Sequence, residues 1–76
     1  MISRFYVRSW EESVLKVIFE PTGMEYSLQA DSRILVELAG DRTDAEVVYG
    51  KDFLMIQAPT QGCVRAWDQD GIELEI

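Results

Sequence analysis

Asp68-Gln69-Asp70-Gly71-Ile72-Glu73-Leu74-Glu75-Ile76 joins a turn to the cleanest alternation in the chain. Aspartate opening a four-residue turn and glycine at its fourth position are the signature of a type I turn followed by a left-handed residue. Beyond Gly71, the apolar Ile72, Leu74 and Ile76 fall on one face and Glu73 and Glu75 on the other. That period of two belongs to an extended strand with one side hidden. A hairpin is therefore expected at this end of the chain.

The same pattern recurs upstream. Glu20-Pro21-Thr22-Gly23 carries proline and glycine where a type I turn and a left-handed residue place them, and it too is expected to close a hairpin. Met24, Tyr26 and Leu28 alternate with Glu25, Ser27 and Gln29. Ile34, Val36 and Leu38 alternate with Arg33 and Glu37, and Leu35 is the one apolar residue out of phase. Gly50-Lys51-Asp52 and Pro59-Thr60-Gln61-Gly62 read as loops. Residues 39–44 form the longest polar stretch and are expected to be the most mobile. The five glycines all lie between apolar or alternating runs, so they read as turn punctuation and not as a phosphate-cradling loop.

Two segments depart from simple alternation. Residues 53–58 are apolar on both faces, as in a central strand covered on both sides or one covered by a second chain. Lys51, Asp52 and Pro59 flank this sticky window. Ser9-Trp10-Glu11-Glu12 has the spacing of a helical capping box, which would put Trp10, Val14, Val17 and Ile18 on one helical face. The β-branched and aromatic residues that follow, and the turn directly after them, favour a strand over 13–20 preceded at most by one helical turn. The chain thus reads as one all-β domain over residues 1–76. The expected form is a small antiparallel meander of about six to seven short strands, folded as a sandwich or a partly open barrel.

A chain of 76 residues builds a thin core. A single cysteine, Cys63, allows no internal disulfide, and the absence of histidine weakens any metal staple. Self-association is one remaining way to add burial. The net charge is −7, and all 14 acidic residues lie beyond residue 8. Such a field repels phosphate, so it disfavours nucleic acid and favours basic partners. The first eight residues lack the apolar stretch of a secretory signal. The longest aliphatic or aromatic run, 53–56, is far short of the roughly 20 residues that span a bilayer. The expectation is a cytoplasmic protein without membrane contact, in line with its lone cysteine.

Without histidine there is no imidazole base and no Ser-His-Asp or Cys-His pair. Cys63 has no neighbour that would lower its pKa and reads as a small buried hydrophobe. The acids around Gly71 lack the ligand spacing and flanking helices of a calcium loop. No catalytic, metal or cofactor site is therefore expected, and the domain reads as non-catalytic. Arg4, Tyr6 and Arg8 share one face of a predicted strand, which is the one place where aromatic and basic residues interleave as in single-strand-binding sheets. On an edge strand, the two arginines also blunt pairing. The stronger candidate is the C-terminal hairpin. Asp68, Asp70, Glu73 and Glu75 bring four acids and no base after Trp67. A rigid anionic ribbon with an aromatic root suits contact with a basic protein. The leading reading is a small binding or regulatory module acting by protein–protein contact. The alternatives are a self-associating structural domain or a nucleic-acid-contacting barrel of the OB or SH3 kind.

Overall fold

A computed structural model describes residues 2–10 and 12–76. Seven strands account for the regular structure: β1 (Ile2–Arg8), β2 (Leu15–Glu20), β3 (Met24–Leu28), β4 (Arg33–Ala39), β5 (Glu46–Tyr49), β6 (Phe53–Gln57) and β7 (Cys63–Trp67). They form a three-stranded sheet in the order β1-β4-β7 and a four-stranded sheet in the order β3-β2-β6-β5. The protein is an all-β sandwich and not a closed barrel. Among the described residues no helix is long and apolar enough to cross a membrane.

The strands do not follow one another across the sheets as in a simple meander. Only β2–β3 and β5–β6 pair with their neighbours in sequence, and β2 runs parallel to β6. The apolar pattern explains this arrangement. Val17 and Phe19 of β2 lie beside Leu54 and Ile56 of β6 on one face. Placing these two strongly apolar strands side by side concentrates the core in mid-sheet. Val17, Phe19 and Ile56 are fully buried, and Val36 of β4 is buried with them from the opposite sheet. Val7, Leu28, Ile34 and Ala66 complete the core. Cys63, expected to be buried, is instead exposed at the start of β7, where alternation sends Val64 and Ala66 inward. Residues 53–57 form a central strand, but it is covered on one face alone: Ile56 is buried in the core, whereas Phe53 and Met55 on the other face stay partly exposed.

The turns follow the sequence closely. Gly71 N–H bonds Asp68 C=O at 3.0 Å, and Gly71 is left-handed with φ of 81°. The Asp68 carboxylate accepts from the N–H groups of Asp70 at 2.9 Å and Ile72 at 3.0 Å. This hairpin returns the chain along β7: Trp67 pairs with Glu73, and Leu74 N–H bonds Ala66 C=O at 2.8 Å. Leu74 and Ile76 pack against the core, but Ile72 is exposed, because it sits in the turn itself. At the first hairpin, Gly23 N–H bonds Phe19 C=O at 2.7 Å, one residue wider than the type I turn expected over 20–23. At the end of the polar stretch 39–44, Thr60 N–H donates to Asp44 Oδ1 at 2.9 Å, and its hydroxyl donates to Oδ2.

The strand expected over 13–20 begins at Leu15. The capping box does not form. Glu12 adopts a φ of 64°, which is not helical, and Glu11 lies outside the described residues. Ser9 instead extends the β1–β4 ladder, its N–H bonding Ser32 C=O at 3.0 Å while its hydroxyl donates to Gln29 C=O at 2.6 Å. Long-range pairing satisfies the serine better than a lone helical turn would.

The position of Phe19 generates a stability prediction. Phe19→Ala is expected to cost about 3–5 kcal/mol, close to the whole stability of a small domain at roughly 5 kcal/mol. Tyr49→Ala, at an exposed edge, is expected to stay within about 0.5 kcal/mol of the parent. Urea unfolding followed by circular dichroism separates the two; similar costs at both positions would contradict this core.

Candidate functional site

The outer face of the three-stranded sheet collects side chains that the sequence scatters over more than sixty positions. In β4, Ile34, Val36 and Leu38 point inward, which sends Arg33, Leu35 and Glu37 outward. The registers of β1 and β7 then build rows across the sheet. Tyr6, Leu35 and Trp67 form one, and the bridge from Trp67 extends it to Glu73. Arg4, Glu37 and Arg65 form the next, and Arg8 stands beside Arg33. Four of the seven basic residues of the chain therefore share this face.

Glu37 anchors its row. It is buried although it lies on the outer face, because arginines cover it from both sides. Arg4 Nε donates to Glu37 Oε1 at 2.8 Å, and Arg65 Nη1 lies 4.0 Å from Oε2. Arg65 also makes a bidentate pair with Glu73, at 3.0 and 2.8 Å. Its guanidinium lies 4.9 Å from the centroid of the Trp67 ring, and that of Arg33 lies 4.1 Å from the centroid of Tyr6. Both contacts are within cation–π range. Arg8 pairs with Asp31 at the margin.

These contacts enclose an open concavity of about 450 Å³. Tyr6, Leu35 and Trp67 lie on its floor, and Arg4, Arg33, Arg65, Asp68 and Gln69 at its rim. Gln69 Oε1 accepts from Arg33 N–H at 3.2 Å, which ties the C-terminal turn to this face. Charge is nearly balanced here: each arginine except Arg33 has a carboxylate partner, and Arg33 rests on an aromatic ring.

Of the residues singled out from sequence, Trp67 and Asp68 line this concavity and Glu73 borders it through Arg65. Asp70 lines a neighbouring cleft of about 240 Å³ near Tyr26 and Leu74. Glu75 lines neither; its backbone C=O accepts the Tyr26 hydroxyl, which fastens the C-terminal segment to β3. The hairpin is also less anionic than its composition, since Arg65 matches Glu73 and the Asp68 carboxylate serves the turn. Arg4, Arg8 and Tyr6 do share one face of an edge strand, but Glu37 and Asp31 hold the two arginines and Arg33 covers the ring that a base would stack on. Sequence reasoning missed Leu35, Glu37, Arg33 and Arg65. Leu35 gave the one local signal, as the apolar residue out of phase in β4; the rest depended on knowing that β1, β4 and β7 are neighbours.

No family model matches this sequence, and neither the curated proteins nor the solved structures give a match.

The Arg65–Glu73 pair has a measurable signature. Hydrogen bonds from Arg65, and then its charge, hold the Glu73 carboxyl below the usual range. The two Thr60 hydrogen bonds do the same for Asp44. A carboxyl depressed in the folded state stabilises the fold above its unfolded pKa, and that contribution is lost as pH falls through the folded value. Stability is therefore expected to decline with acidification below the ordinary carboxylate range of about 4. An NMR titration should place Glu73 below that range and return it to ordinary values in Arg65→Gln. An ordinary Glu73 in the parent protein would contradict the pairing.

Proposed function

We propose that this domain is a non-catalytic protein-binding module whose docking surface is the outer face of the three-stranded sheet. The observation that carries this reading is the row Tyr6–Leu35–Trp67, an aromatic and aliphatic row on a rigid sheet that stays partly exposed although Arg33 and Arg65 each overlie one of its rings. Tyrosine, tryptophan and arginine are the residues that dominate binding energy at protein interfaces. Here the sheet fixes two of them and the cation–π contacts orient their rings, so little freedom remains to be lost on binding.

The partner best suited to this face presents an apolar side chain to the floor and basic groups to the surroundings. The net charge of −7 attracts basic proteins at long range. Asp68, Asp70 and Glu75 supply acids at and beyond the rim that no arginine pair neutralises. The matched charges around the floor disfavour a phosphate backbone, which needs unpaired cations. Surface recognition of this kind requires no histidine, and the chain has none.

Affinity capture from host extract tests the proposal when wild type is run beside a Tyr6→Ala/Trp67→Ala variant whose circular dichroism matches it. The expected result is a partner retained by the wild type at low salt, released as salt rises, and bound at least about thirtyfold more weakly by the variant, as for loss of interface hot spots. Capture of the same proteins by both forms, or of none, would contradict it.

A further inference from the structure

The two sheets differ in width, and the extra strand is β5. Its register places Val47 beside Ile56 and Tyr49 beside Leu54, on the face of the sheet that carries the core. Yet Val47 is 51% exposed and Tyr49 83% exposed. The three-stranded sheet does not reach over β5. On the opposite face Val48, beside Met55, is also exposed.

The free backbone of β5 can be assigned. Gly50 N–H bonds Phe53 C=O at 2.9 Å, so the 50–53 pair exchanges hydrogen bonds with β6. Alternation along the antiparallel ladder makes 48–55 and 46–57 the other bonded pairs. Val47 and Tyr49 therefore direct their N–H and C=O groups away from the sheet. The other edges are blunted. The β1–β4 ladder continues through Ser9 N–H to Ser32 C=O, which turns the backbone of Ile2, Arg4, Tyr6 and Arg8 outward, so that charged residues alternate with the others along this edge. The segment after Gly71 covers β7, and Tyr26 ties the C-terminal segment against β3, whose outer residues include Glu25. Among the described residues, β5 is the edge whose open backbone positions, Val47 and Tyr49, include no charged residue.

We infer that β5 pairs antiparallel with β5 of a second copy of this chain, through a two-fold axis at Val48. An antiparallel edge is complementary to itself under such an axis, whereas any other partner must bring a matching strand. Centred on Val48, Val47 of each copy exchanges hydrogen bonds with Tyr49 of the other, and the two side chains meet on the uncovered core-side face. Val48 meets Val48 on the outer face. Charge selects this register. Glu46 falls opposite Gly50 of the second copy, next to its Lys51. Shifting by two residues one way sets Glu46 against Asp52, a like-charge pair, and the other way moves Tyr49 onto Ala45, outside the strand. So short a strand buries much less than the roughly 1,200 Å² of a stable interface, so the dimer is weak and dependent on concentration. It leaves the outer face of the three-stranded sheet free.

Two experiments test this pairing. Light scattering after size exclusion should show a mass rising from monomer toward dimer between micromolar and millimolar protein. The second uses a Cys63→Ser background, because Cys63 is itself exposed. Across a non-hydrogen-bonded pair the two Val48 Cα atoms would stand about 4.5 Å apart, within the roughly 4.4–6.8 Å that a disulfide spans. Val48→Cys should therefore form a covalent dimer on mild oxidation, at least about tenfold faster than Glu25→Cys on the β3 edge. Adding Val47→Pro removes an outward N–H without disturbing β6 and should slow the reaction about tenfold. A monomer mass up to millimolar protein, equal crosslinking at residues 25 and 48, or no effect of the proline would overturn the inference.

Discussion

The parallel pairing of β2 with β6 is the contact on which the rest of the structure depends. It supplies Phe19, Ile56 and Val17, three of the four largest fully buried side chains, from adjacent strands. Parallel strands require a long crossover, and here the crossover is β3, β4 and β5. On its way from one member of the pair to the other, the chain forms a hairpin partner for β2, crosses to the opposite sheet as β4, and returns to form a hairpin partner for β6. Val36 of β4 closes the core from above. In a domain this small, a core drawn from so few residues leaves little redundancy.

Unequal sheets follow from that route. The pair β2–β6 takes a flanking strand on each side and becomes four strands wide, whereas β4 collects only β1 and β7. The narrow sheet is covered on its inner side, and its outer side gathers arginines, aromatics and a buried glutamate. The wide sheet extends past its partner and leaves β5 bare. Both surfaces proposed for recognition thus have one origin in the topology. The face built on Tyr6, Leu35 and Trp67 suits a different protein, and the β5 edge suits another copy of this one.

Local order was legible in the residues, and non-local order was not. Period-two alternation marked β3, β4 and the C-terminal hairpin because each has one wet side. Asp68 and Gly71 marked their turn because its hydrogen bonds are all within five residues. Leu35 showed as out of phase, but what it rests among depends on Tyr6 and Trp67, which are distant in sequence. The same holds for Glu37: an acid in an alternating strand reads as solvated until two arginines from other strands are placed over it. The capping box at Ser9 was a local signal overruled by a ladder bond to Ser32. Strand order rests on the summed burial of paired faces, a quantity no single segment carries.

Amide hydrogen exchange followed by NMR on the dilute protein tests the central pairing directly. Lys16 N–H bonds Asp52 C=O and Ala58 N–H bonds Glu20 C=O at the two ends of the parallel ladder. Ile18 and Ile56 therefore donate between β2 and β6 in its middle. These two amides should exchange slowest, near the rate of global unfolding, while Val47 and Tyr49 exchange at close to the rate of an unstructured chain. Rapid exchange at Ile18 and Ile56, or protection of Val47 and Tyr49 equal to theirs in the monomer, would contradict the account.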